Sequence, residues 1–191
     1  MGPKPDGQVR DLIEVMLGTA TRIGETLALR KYDIDMTADP PWAHIRGTLV
    51  VQSGAGVLRC QAHPKTHESN RVVAVPQFAA EVILRRISLI EAEDGVHLLF
   101  FTRIGKPLAP HNVRRTFREI LRNAGLEGMG ITPPRLPPNG ATLLANELGL
   151  QAAADVLGHT STSTTKAHYA EPDRAVKSEP ATVLQRLAPP S

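Results

Sequence analysis

Apolar positions return at helical spacing from Val9 to Thr19 and again from Ile23 to Leu29, so two amphipathic helices are expected around the stretch TATR. The rhythm changes at Trp42. From there to Pro76 the segments HIRGTLVV, VLRCQAH and RVVAVP alternate or run β-branched, separated by SGAG and PKTHESN. This predicts a small three-stranded antiparallel sheet with two turns. Helical spacing resumes over Gln77–Glu91, where Phe78, Val82, Ile83, Ile87 and Ile90 share one face. HLLFF followed by TRIGKPL reads as a short buried segment and a turn. His111–Ala124 is the next helix, with Val113, Phe117, Ile120 and Leu121 inward. Shorter helices are expected over Asn139–Leu148, Gln151–Leu157 and Ser161–Tyr169. A terminal helix over Ala175–Leu187 is expected to be interrupted or delayed by Pro180, because proline lacks a backbone N–H. Helices, a small sheet and more helices make an α+β domain dominated by helix.

Composition narrows the partners. The chain has 191 residues, 41% of them hydrophobic, enough for one cored domain with at most a short appendage. No apolar run reaches the length of a membrane span, and the polar start MGPKPDGQVRD lacks the apolar stretch of a signal peptide. The single cysteine, Cys60, excludes an internal disulfide framework and fits a reducing cytoplasm. It sits in the alternating segment VLRCQAH, where a half-buried strand residue is a better reading than a catalytic thiol. A net charge of +3 and a pI near 9.3 hint at a polyanionic partner. Aromatic residues, at 4%, are too few for a surface that stacks single-stranded bases.

Several residues carry candidate chemistry, each with a plainer alternative. Arg114, Arg118 and Arg122 fall at i, i+4 and i+8 with Arg115 beside them, so three guanidinium forks share one helix face. Such a row suits phosphate oxygens; it equally suits a solvated face with Glu119 as a local partner. Lys65 and Thr66 lie in the predicted hairpin turn, where a lysine is usually solvated but can serve as a proton donor if it reaches into a groove. Arg22 precedes Glu25 by three residues, which makes either a weak local ion pair or an arginine oriented by a carboxylate to grip a phosphate. His159 follows the helix-ending Gly158, and Tyr169 lies ten residues on; each alone reads as structural. His168 reads as a surface residue.

In combination these residues resemble the catalytic domain of the tyrosine recombinases, the phage integrase family. GTATRIGETLALRKYDID is similar to the family's first-arginine box, with Arg22 as the arginine and Glu25 as its companion acid. PKTHESNRVVAVP resembles its lysine hairpin, with Lys65 as the catalytic lysine. LFFTRIGKPLAPHNVRRTFREILRNAGL resembles the connecting segment and basic helix. ATLLANELGLQAAADVLGHTSTSTTKAHY resembles the C-terminal box, with His159 as its histidine and Tyr169 as the nucleophile. Four boxes in family order form a specific signal.

The resemblance implies DNA strand breakage and rejoining. A tyrosine oxygen attacks a phosphodiester, forming a 3′-phosphotyrosyl link and releasing a 5′-hydroxyl. Arginines and histidine stabilise the transition state, and the lysine protonates the leaving oxygen. It also implies double-stranded DNA as partner, a homo-oligomer on that DNA, a cytoplasmic location, and no metal or other cofactor. Arg114, Arg118 and Arg122 are then expected backbone contacts. Residues 1–175 are expected to form the catalytic domain and 176–191 a tail or short helix. The N-terminal core-binding domain of the family is expected to be missing.

One slot departs from the pattern. Where the family carries HxLRH or HxFRR, this sequence reads Pro134-Arg135-Leu136-Pro137-Pro138. Pro134 stands at the histidine position and Pro137 at the second-arginine position, and neither can donate to a phosphate. Losing one preorganised donor costs ~10²–10³ in rate, so the expected reaction is impaired, with a non-catalytic DNA-binding remnant as the alternative. A compensated frameshift is one hypothesis for the slot. Codons CCA CGC CTT CCG CCG, read one base on, spell His-Ala-Phe-Arg; a gene that does not spell His-x-x-Arg in the neighbouring frame rejects it.

Overall fold

The computed structural model describes residues 5–51, 58–61, 70–90, 98–127, 129, 131–132, 143, 146–147 and 178–189. The first helix, α1, runs from Pro5 to Thr19 and buries Val9, Leu12, Val15 and Met16 along one stripe. Each fully buried aliphatic side chain of this kind stabilises the fold by about 1.5–3 kcal/mol. The helix stops because Ala20 adopts φ +50, the left-handed conformation that terminates a helix and that disfavours any residue with a Cβ. Helix α2, Ile23–Ala28, follows after a three-residue connection, Ala20 to Arg22, and is buried over almost its whole length.

A single-turn 3-10 segment, Lys31–Asp33, leads into β1 (Ile34–Asp35). Strands β2 (Trp42–Ile45), β3 (Thr48–Val51), β4 (Leu58–Gln61) and β5 (Arg71–Ala74) complete the β region. The expected small three-stranded antiparallel sheet is present, in the order β1-β2-β5, and β3-β4 forms a separate two-stranded ribbon. The pairing differs from the one read off the sequence. HIRGTLVV is not one strand but breaks at Arg46 and Gly47, with His44 and Ile45 in β2 and Thr48 to Val51 in β3. The segment RVVAVP does not pair with its sequence neighbour β4. It returns to β2, matching Ala43 with Val73, so that Ala43, Ile45 and Val73 enter the core together. Cys60 does lie in a strand, β4, opposite Leu49.

Helix α3, Gln77–Ile87, buries Phe78, Val82 and Ile83 and ends four residues earlier than its apolar pattern suggested. Ile90 still reaches the core from the turn that follows. One buried position is an arginine: Arg86 donates from Nε to the Leu99 carbonyl at 2.9 Å and from Nη2 to Gln8 at 3.2 Å, and lies over the Phe100 ring. Leu99 and Phe100 are the buried segment expected from HLLFF, tied to the end of α2 by the Leu99 amide on the Leu29 carbonyl. The turn after it is closed by Gly105 at φ +72.

Helix α4, Pro110–Asn123, packs Val113 and Phe117 inward against α1, α2 and β3. The terminal helix α5, Glu179–Leu184, starts with Pro180 in its first turn, the position where a missing N–H costs nothing. It begins later than Ala175, as the proline predicted, and buries Val183 and Leu184 against the main core. Leu143, Asn146 and Glu147 are helical, within the helix expected over Asn139–Leu148; the rest of that helix and the next two lie outside the described residues.

Candidate functional site

The turn between α1 and α2 is built from the inside outward. Thr19, Thr21 and Thr26 are all fully buried, and their hydroxyls form a chain. Thr19 Oγ1 donates to the Val15 carbonyl at 2.7 Å, and the Thr19–Thr21 and Thr21–Thr26 hydroxyl pairs are each 2.7 Å apart. Because the Thr19 proton goes to Val15, Thr21 donates to Thr19, and the single Thr26 proton has two acceptors in reach, Thr21 Oγ1 at 2.7 Å and the Arg22 carbonyl at 3.1 Å. The Arg22 carbonyl then accepts the Thr26 backbone amide at 2.9 Å. Gly24 lets the ribbon close on this turn: a Cβ there would stand 2.6 Å from Thr48 Oγ1 and 3.0 Å from the Leu49 carbonyl oxygen.

Arg22 sits at the mouth of α2 in extended conformation, and Glu25 occupies the third helical position. The Glu25 carboxylate caps the helix by accepting the Arg22 backbone amide at 2.8 Å. The same carboxylate accepts from Arg22 Nη1 at 3.3 Å. The carboxylate is buried while the guanidinium that donates to it remains 53% exposed. A second arginine completes the cluster. Arg71, the first residue of β5, donates from Nη1 to Glu25 Oε1 at 3.3 Å and from Nη2 to Oε2 at 3.1 Å. Both partners in that pair are only 8% exposed.

Sequence reading missed Arg71, although the signal was present. In RVVAVP the period-two pattern places Arg71 on the same face as Val73 and Val75, both buried. A charge on a core face requires a partner. The threonine chain was likewise written in TATR and the later Thr26, but nothing local in the sequence shows that these hydroxyls meet.

The arginine row on α4 is of another kind. Arg114, Arg118 and Arg122 are exposed, opposite the buried Val113 and Phe117. Arg118 Nε leans back onto the Arg114 carbonyl at 3.3 Å. The carboxylate met by Arg122 is Glu127, at 3.4 Å, rather than Glu119, and both partners are more than 60% exposed. Lys65, Thr66, His159, His168, Tyr169 and the slot Pro134–Pro138 lie outside the described residues.

A further charged cluster forms around Asp33. Asp33 is buried, accepts the Arg30 backbone amide at 3.0 Å and faces Arg46 at 2.5 Å. Burial raises its carboxyl above the ordinary value, with the Arg30 amide and the Arg46 charge acting in opposition. Arg46 also lies over the half-exposed Tyr32 ring, 4.7 Å from its centroid. Among the described residues there is no group of three or more side chains placed to hold a metal ion, and no helix long and apolar enough to cross a membrane.

The helical body, its small sheet and the arginine–glutamate turn define a tyrosine-recombinase catalytic domain. Residues 6–175 match the phage integrase family, and the chain belongs to it. It is 30% identical over 133 residues to an integrase of Streptomyces ambofaciens, covering 64% of this chain and 34% of that protein. Against the tyrosine recombinase XerA of Thermococcus kodakarensis the identity is 29% over 167 residues, covering 85% of this chain and 51% of that protein. The chain thus spans between a third and about half of the length of these relatives. Among solved structures, the Tn1549 transposon integrase in complex with circular intermediate DNA matches with a TM-score of 0.67 at 21% identity, covering 79% of this chain and 51% of that one. A crystal structure of XerA recombinase matches with a TM-score of 0.56 at 17% identity, covering 94% and 56%. These structures establish the fold.

Proposed function

We propose that this chain is the catalytic part of a site-specific DNA recombinase that breaks and rejoins strands through a 3′-phosphotyrosyl intermediate. The observation that carries the reading is the Arg22 turn: an exposed guanidinium, held in place by a buried carboxylate, in a chain of the phage integrase family. Arg22 grips the scissile phosphate. The Tyr169 oxygen attacks phosphorus as its phenolic proton passes to solvent, the bond to the 5′-oxygen breaks, and Lys65 supplies the proton that makes the leaving oxygen a hydroxyl. His159 donates to the equatorial oxygens as negative charge develops there. Resolution runs the same bonds in reverse, with the 5′-hydroxyl of another strand as nucleophile. The reaction conserves the phosphodiester energy in the tyrosyl ester and needs no metal or cofactor. The partner is double-stranded DNA, bound as a homo-oligomer in the cytoplasm. Residues 1–175 form the catalytic domain and 176–191 a C-terminal tail or short helix, which carries α5.

The slot Pro134-Arg135-Leu136-Pro137 favours a second reading, a DNA-binding remnant that forms no adduct, because it offers no histidine or second arginine at the family's positions. A pool of nicked duplexes with randomised core sequence separates the two, since a nick lets the cleaved fragment diffuse away and traps the covalent complex. Adduct that disappears in Tyr169→Phe supports the recombinase. Retarded mobility without adduct supports the remnant, and the Pro134→His, Pro137→Arg double variant should then gain adduct. A repaired variant that stays inert argues against the assigned chemistry.

A further inference from the structure

We infer that Arg71 is a positioning residue for Arg22, acting through Glu25 to keep the exposed guanidinium both oriented and positively charged toward a phosphate. The inference rests on the reading of Arg22 as a phosphate-gripping residue.

Glu25 has to do two opposed things. Its carboxylate fixes Arg22 by accepting the Arg22 backbone amide and Nη1, at 2.8 and 3.3 Å. A carboxylate that binds only Arg22 would also neutralise it, leaving a closed ion pair with little attraction for an anion. Arg71 changes that balance. Its fork occupies both carboxylate oxygens from the buried side, at 3.3 and 3.1 Å. Two guanidinium groups then share one carboxylate, so the trio carries a net charge of +1. The two cations differ in access: Arg71 is 8% exposed and Arg22 is 53% exposed. The excess positive charge is therefore presented to solvent through Arg22. The planar fork matters as well, since a lysine ammonium cannot bridge both oxygens with parallel bonds.

The geometry also ties two distant parts of the chain together. Arg71 begins β5 and lies 46 positions from Glu25. The strand that carries it follows directly on the segment PKTHESN, which contains Lys65. Holding β5 against α2 by this pair sets the end of that segment relative to the Arg22 turn.

The test is a double-mutant cycle on binding of the full chain to a 30-bp duplex of arbitrary sequence, at roughly 50 mM salt, where one phosphate contact is worth about tenfold in affinity. Arg22→Ala should weaken binding about tenfold. Arg71→Gln should weaken it about three- to tenfold with Arg22 present, and less than about twofold in the Arg22→Ala background. A purely long-range loss of charge would act equally in both backgrounds, so equal effects overturn the inference, as does no effect of Arg71→Gln with Arg22 present. If Arg22→Ala itself leaves binding unchanged, the failure lies with the phosphate-gripping reading of Arg22. Should Arg71→Gln not fold, by circular dichroism, Arg71→Lys runs the same cycle with the charge retained. It should still weaken binding only when Arg22 is present; binding like that of the parent chain would count against the fork.

Discussion

The Arg22 turn and the α4 arginine row present the same functional group in opposite settings. At the turn, a guanidinium is held by a buried carboxylate, which is itself held by a second, buried arginine, beside a chain of three buried threonine hydroxyls. On α4 the guanidiniums are exposed and lean on a carbonyl of their own helix or on an equally exposed glutamate. The first arrangement fixes one donor fork in one place, as recognition of a single phosphate requires. The second supplies exposed positive charge, suited to attraction along a backbone without selecting any one phosphate. The difference lies entirely in the partners of the arginines.

That contrast should appear first in stability. Glu25→Ala removes the buried carboxylate that accepts from both terminal nitrogens of Arg71, so it should cost about 3–5 kcal/mol in urea denaturation. Arg122→Ala, which breaks an exposed pair, should stay within about 0.5 kcal/mol. An equal cost at both places would erase the distinction. Gly24→Ala should come next, at about 1–3 kcal/mol, because its Cβ would press on Thr48 and the Leu49 carbonyl. Thr21→Val, which opens the hydroxyl chain without changing shape, should cost about 1–2 kcal/mol.

Smaller effects sharpen the picture. Ala20→Gly should stabilise by about 0.5–1 kcal/mol, since relief of the left-handed φ outweighs the added freedom of the unfolded chain. Its melting temperature should rise while DNA binding is unchanged. Asp33 gives the smallest effect, visible only in pH dependence. Its folded pKa is raised above 3.8, so the folded state binds its proton more tightly than the unfolded state does. The stability it contributes is full below that ordinary value and is lost as pH rises through the folded pKa. Asp33→Asn should remove this downward slope in pH-resolved denaturation; a slope that persists would assign it to another group.

Much of this was legible in the sequence, because helices announce themselves locally. The stripes on α1, α3 and α4 follow directly from apolar spacing, and Pro180 set the late start of α5. Strand pairing was less legible. The break at Arg46-Gly47 and the return of β5 to β2 depend on which faces meet in the core, a non-local condition that alternation alone does not specify. The site divides in the same way. Arg22 and Glu25 are three residues apart and stood out. Arg71 required the inference that a charge on an inward strand position has a buried partner. Arg86, at helical spacing from Phe78 and Val82 on the inward face of α3, required the same inference and was passed over.

The most direct test of the account is the covalent intermediate itself. The Pro134→His, Pro137→Arg variant, incubated with the nicked-duplex pool and digested with protease and nuclease, should yield a nucleotide-linked peptide containing Tyr169 by mass spectrometry. That peptide should vanish when Arg22→Ala is added and persist when Arg114, Arg118 and Arg122 are together changed to Gln. Adduct on another residue, or adduct that survives Arg22→Ala undiminished, would contradict a reaction centred on the Arg22 turn.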